Sequence, residues 1–77
     1  MTQYTATIHA PEFAPRIKHQ MIFTAFDQLI PGEHMLLIND HDPVPLHYQF
    51  EHERAGMFTW EYIKHGPVQF QVNIGRI

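Results

Sequence analysis

The sequence predicts an α+β two-layer sandwich of order β-α-β-α-β-β, with a mixed four-stranded sheet and two helices on one of its faces. Three observations carry this reading. Period-two alternation, rich in β-branched and aromatic residues, occurs once near the start of the chain and twice near its end. An apolar repeat at helical spacing runs from Arg16 to Ile30, and Asp42-Pro43 opens a second helical stretch just after an apolar run of strand length.

In "YTATIHA", Tyr4, Ala6 and Ile8 fall on one side and Thr5, Thr7 and His9 on the other, giving the first strand. "PEFAP" breaks that pattern, and Pro15 suits the opening turn of a helix, where its missing N–H is harmless. From Arg16 to Ile30, Ile22, Ala25, Phe26 and Leu29 share a face, with Ile17 and Met21 on its flank, until Pro31-Gly32 stops the helix. "HMLLIN" is too short for a helix and suits a buried strand. Asp42 ahead of Pro43 is expected to cap a second helix, in which Leu46 and Phe50 share a face, His47 points away and "RAG" ends the run. Phe58, Trp60 and Tyr62 then alternate with Thr59, Glu61 and Ile63, and Val68, Phe70, Val72 and Ile74 with Gln69, Gln71 and Asn73. "KHGP" joins these two strands as an antiparallel hairpin. Strands one and two, linked through a helix, should be parallel with a right-handed crossover. Two helices cover one face, so the other, with Thr59, Glu61, Gln69, Gln71 and Asn73, is expected to be partly solvated.

Composition narrows the function classes. The chain reads as one domain, residues 1–77, near the lower size limit for a self-sufficient core, which makes self-association into a homodimer through an edge strand, or a bound ligand, an expectation. A formal charge of −3, with Arg16, Lys18, Arg54, Lys64 and Arg76 scattered, leaves no footprint for nucleic acid. The lack of cysteine removes disulfides, thiol catalysis and cysteine-based metal sites. No apolar run approaches the roughly 20 residues that span a bilayer, and the first residues lack the pattern of a signal peptide, so no membrane role and a cytoplasmic location are expected. Seven histidines in so short a chain are the compositional oddity. His34, His52 and His65 are expected to be solvated, and Phe58, Trp60 and Tyr62 to form one core face.

The segment "KHQMIFTAFDQLIPGEHMLLINDHDPVPLHYQF", followed by "GMFTWEY" and "GPVQFQVNIGR", resembles a small bacterial domain family of unknown function whose hallmark is an Asn-Asp-His-Asp-Pro-x-Pro-Leu motif. This family is a cysteine-free branch of the TusA-like (SirA-like) superfamily. The resemblance covers nearly the whole chain and implies the same β-α-β-α-β-β sandwich. TusA-like sulfur carriers hold a persulfide on a cysteine that opens the first helix; here Pro15 matches that place, and without a thiol persulfide chemistry is excluded. Members of the resembled family accompany or are fused to hemerythrin-like and cupin domains, which implies a protein partner, hemerythrin-like or otherwise redox-active, and oxygen, nitric oxide or metal biology.

In a parallel β-α-β unit the C-terminal ends of the two strands lie side by side, next to the N-termini of the following helices, a place that ligands of α/β sheets favour. It would gather His9 and Glu12, Arg16 and His19, and Asn39, Asp40, His41 and Asp42. A ligand or partner surface there comprises His19, Asn39, Asp40, His41, Asp42 and Arg16. A metal reading takes His41, His19, Asp40 and His9 as ligands of iron or zinc, although their spacing matches none of the strong signatures. A purely structural reading has Asp42 capping the helix, Asn39 and Asp40 building a turn, and His41 paired with a nearby carboxylate or carbonyl. An anion reading uses both helix N-termini with Arg16, Lys18 and His19, against the opposing charge of Glu12, Asp40 and Asp42. A catalytic His41–Asp dyad lacks a nucleophile or phosphate loop to work with. The leading expectation is a small non-enzymatic binding or accessory module; its competitor is a metal-dependent site with a redox-related or hydrolytic role at His41.

Overall fold

The computed structural model describes residues 3–77; Met1 and Thr2, part of the expected domain, lie outside the described residues. The chain runs β1 (Ala6–His9), a 3-10 turn (Ala10–Glu12), α1 (Pro15–Asp27), β2 (His34–Asn39), α2 (Val44–Glu53), β3 (Phe58–His65) and β4 (Phe70–Arg76). The α+β order expected from the sequence is therefore the observed one. The four strands form one mixed sheet in the order β1-β2-β4-β3, with β1 and β2 parallel and β4 antiparallel to both its neighbours. It follows that β1, β2 and β3 all end at the same edge of the sheet. Among the described residues no helix is long and apolar enough to cross a membrane.

Period-two alternation sorts the sheet residues. Met35 and Leu37 of β2 stand opposite Ile74 and Val72 of β4, all four fully buried, with Ala6 and Ile8 of β1 in register beside them. Onto this face α1 brings Ile22, Phe23 and Phe26, and α2 brings Leu46 and Phe50. Phe50 is the hub: its ring stacks on Phe23 at 4.4 Å, meets Phe26 edge-on at 5.2 Å and touches Phe58 and Trp60 of β3. Such aromatic pairs contribute roughly 0.5–1.5 kcal/mol each beyond the area they bury.

The opposite face departs from expectation. Asn73, expected in solvent, is buried: its Oδ1 accepts a hydrogen bond from His34 Nδ1 at 2.8 Å and its Nδ2 donates to Glu61 at 3.2 Å. His34 is thus held rather than solvated, because β4 lies in the middle of the sheet and its neighbours shield both its faces. The same crowding explains Gly75, where an added Cβ would run into Thr59 and the His34 ring. Thr59 and Glu61 are exposed as expected.

Several boundaries also move. β1 covers only Ala6–His9, shorter than the "YTATIHA" reading, and α1 stops at Asp27 rather than Ile30, with Gln28 and Leu29 closing onto Ala25 and Phe26 carbonyls while Leu29 stays buried. β4 starts at Phe70, not Val68. Gly66, at φ 79°, and Pro67 open the turn, the Gly66 N–H bonds the Gln69 carbonyl, and Val68 is left 80% exposed at the tip.

Candidate functional site: a cleft between two helix starts

Because β1 and β2 are parallel, α1 and α2 both begin at the same edge of the sheet and run side by side. His19 contacts Gln49, Phe23 stacks on Phe50, and Asp27 binds Arg54, so the helices pair along their length. At their N-terminal ends they part around a cavity of about 140 Å³. Its walls are Pro15, Ile22, Pro43, Pro45 and Leu46; its polar groups are Lys18, His19, Asn39 and His41. That volume is below the roughly 300 Å³ at which pockets for drug-sized ligands begin.

Both imidazoles are oriented through Nδ1. His19 Nδ1 donates to Gln49 Oε1 at 2.8 Å, and the Gln49 amide is itself fixed because its Nε2 donates to Glu53 at 2.8 Å. His41 Nδ1 donates to Asp40 Oδ1 at 2.8 Å. In each ring the neutral form therefore carries its proton on Nδ1 and leaves the Nε2 lone pair open, the arrangement by which an outer partner sets an imidazole's tautomer. The His41 hydrogen bond holds the exposed Asp40 carboxyl below the usual carboxylate range, and the nearby Lys18 charge acts in the same direction.

Asn39 sits at the floor. It is 4% exposed, its Oδ1 accepts the Asp40 backbone N–H at 2.9 Å, and its Nδ2 has no partner among the described residues. Neither helix has a side-chain N-cap: Ala14 precedes α1, Pro43 precedes α2, and neither first turn contains an acid. Prolines occupy the first positions, where their missing N–H is harmless, and among the described residues the Leu46 N–H donates to no backbone carbonyl.

The sequence reading places His19, Asn39 and His41 together, and all three line this cleft. Five of its residues, His9, Glu12, Arg16, Asp40 and Asp42, do not, and Asp40 reaches the cleft only through its bond to His41. Asp42 is not the cap of α2: its carboxylate turns to β3, accepting the Tyr62 hydroxyl at 2.5 Å and His65 Nε2 at 3.1 Å. Burial and the Asp42 carboxylate raise the Tyr62 phenol above its ordinary value, partly opposed by the Trp60 indole N–H, which lies close but outside hydrogen-bond geometry. Arg16 is exposed on α1 away from the cavity. His9 lies on the uncovered face of the sheet, 3.5 Å from Glu12, because Ala6 and Ile8 claim the core side of β1. The set His41, His19, Asp40 and His9 is consequently not assembled, and among the described residues no group of three or more such side chains is placed to hold a metal ion.

One further histidine, His47, differs from expectation, and His65, exposed as expected, also makes contacts. His47 does not point away: its ring stacks on Trp60 at 4.3 Å, with Nε2 3.3 Å from Glu51. His65, though exposed, is bonded to Asp42 and packs edge-on against Tyr62. Gln49, which orients His19, is absent from the sequence reading. Its signal is helical spacing, since it lies one turn after Pro45 on the side of α2 that faces α1.

No curated protein and no solved structure matches the chain. A family model described as an uncharacterized conserved protein, DUF2249, matches residues 7–76, a span that takes in the whole cleft, and the chain belongs to that family.

Proposed function

We propose that the chain is a small non-enzymatic binding or accessory module of TusA-like fold, acting in the cytoplasm, whose functional surface is the cleft formed by Asn39 to Leu46 and His19. One observation supports this above all: the cavity gathers polar groups from α1, the end of β2 and the start of α2, with both imidazoles fixed by partners outside it. In each of these two rings Nε2 has no side-chain partner among the described residues. A protein of the hemerythrin-like or another redox class, as the family resemblance implies, would present a side chain or a metal centre to this surface. Persulfide transfer is not part of the proposal, since the chain has no thiol.

A second reading, iron or zinc bound at His41 and His19 with a redox-related or hydrolytic role, draws on the same open Nε2 atoms. The chain supplies two imidazoles at the cleft and no third ligand there, so the ion would need ligands from a partner or from water. Elemental analysis and calorimetric metal titration of the untagged protein, with His41→Ala as control, separate the two. Stoichiometric metal lost in the variant favours the second reading. No heat at micromolar metal, with cleft resonances still moved saturably by a non-metal ligand or partner, favours the first; resonances that respond to neither remove both.

A further inference from the structure

The side chains around the cleft are placed so that little negative charge faces its interior. Glu12 and Asp42 lie close in sequence to the cleft, yet their carboxylates are committed elsewhere, to His9 and to Tyr62 with His65, while the Asp40 carboxylate stays at the cleft's edge, bonded to the outer side of His41 and not lining the cavity. None of the side chains lining the cavity is a carboxylate. What lines it is one ammonium, two imidazoles, and an amide whose Nδ2 is the unspent donor of a side chain 96% buried at the floor, by its 4% exposure. That N–H opens to the cleft, where an entering acceptor can take it in place of water. Two uncapped helix starts add their positive ends to the same space.

We propose that this cleft receives a single carboxylate carried on a short apolar stem, the carboxylate meeting Asn39 Nδ2 and the Lys18 ammonium, the stem lying against Pro43, Pro45, Ile22 and Leu46. This rests on the binding-module reading and names its ligand class. The chemistry selects a monoanion: Lys18 is the one permanent cation among the lining residues, and the walls are otherwise apolar, which a phosphate dianion would leave unmatched. The volume selects a short stem. An imidazole protonated at Nε2 adds a further donor to the anion, and a neutral one leaves it to Asn39 and Lys18. The carboxylate belongs either to a free short-chain acid or to the end of a peptide chain, and the two share this recognition.

Heteronuclear NMR titration of the full chain tests it, with butyrate against butyramide, and a short peptide with a free C-terminal carboxylate against the same peptide amidated. Saturable shifts of the Asn39 side-chain amide and the Leu46 N–H with either acid, its amide twin silent, are the expected result, and which acid responds identifies the source. Lys18→Met, a change at the cleft rim that leaves the core intact, should weaken binding roughly tenfold, as should Asn39→Ala if it folds. Equal response to acid and amide overturns the carboxylate while leaving a binding cleft. A response to zinc alone overturns it in favour of the metal reading. Cleft resonances unmoved by every probe overturn it, and the binding-module reading then stands or falls by its own partner titration.

Discussion

The two ends of the helix pair are built on opposite principles. At the C-terminal end, Arg54 grips Asp27 through two parallel hydrogen bonds of 2.8 and 2.7 Å, its guanidinium lies 5.0 Å over the Phe23 ring, and Phe23 stacks on Phe50. At the N-terminal end a single side-chain bond, His19 to Gln49, spans the helices, and beyond it they part around the cleft. A domain of 77 residues has little stability to spare, yet here it keeps its helix starts apart instead of packing them. Stability is concentrated where the helices finish, and the starts are left free to meet something else. Cohesion and recognition should therefore break separately.

The strongest test strikes the shared hub. Phe50→Ala removes the ring that joins α1, α2 and β3, and Phe→Ala changes in a core cost about 3–5 kcal/mol. Against a total of about 5–15 kcal/mol for ordinary domains, most of the fold's margin goes. A collapsed or absent unfolding transition in urea is expected. Gln49→Ala, one residue away on the same helix, should keep nearly the full transition while freeing the His19 ring; similar losses from both changes would refute the separation.

Arg54→Met comes next. The pair is partly exposed, Asp27 at 48%, so its charge contributes modestly, and with the stacking on Phe23 the loss should be about 1 kcal/mol. The acid limb of stability gives the sign. Arg54 holds the Asp27 carboxyl below its ordinary value, so the contribution is present above about 3.8 and is lost as pH falls through the lower folded value. The variant should show a shallower loss of stability across that window, with ligand shifts in the cleft unchanged.

How far the sequence carries is visible in the same two ends. The convergence of His19, Asn39 and His41 was legible, because it follows from β-α-β connectivity: a parallel pair of strands puts both helix starts at one edge whatever the side chains do. The Asn39–Asp40–His41 turn was legible too, being local. Asp42 was not. Asp-Pro before a helix has a routine capping use, and only the strand order β1-β2-β4-β3, which brings the end of β3 to the same edge, supplies the competing partners Tyr62 and His65. His47 stacking on Trp60 and His34 bonding Asn73 fail for the same reason, since each partner is fixed by long-range register that periodicity does not contain.

Tyr62→Phe probes the edge where Asp42 leaves the cleft. It deletes one hydrogen bond to a carboxylate that keeps His65 and some solvent, a loss of about 0.5–1 kcal/mol in urea unfolding. One of the three tyrosines should titrate above the ordinary value of 10 by ultraviolet absorbance, and that step should vanish in the variant. The folded value is raised, so the contribution holds below about 10 and is lost as pH climbs through the folded value. Asp42→Asn separates the causes: it should lower that step towards 10, and a step that does not move would show that Asp42 does not hold the phenol.

The smallest effect concerns Asp40. Its carboxylate is exposed, so Asp40→Ala should leave the unfolding midpoint where it is. What should change is the proton on His41. With the carboxylate present, Nδ1–H has an acceptor at 2.8 Å and Nε2 has no partner; without it, no other side-chain acceptor among the described residues favours that tautomer, and the Nε2–H form should gain population. Imidazole nitrogen shifts in long-range heteronuclear NMR measure this directly. His19, held by Gln49 and not by Asp40, should stay as it is in the same spectrum. A His41 tautomer indifferent to Asp40 would mean that this imidazole is not set for a ligand, and the cleft would keep one prepared nitrogen rather than two.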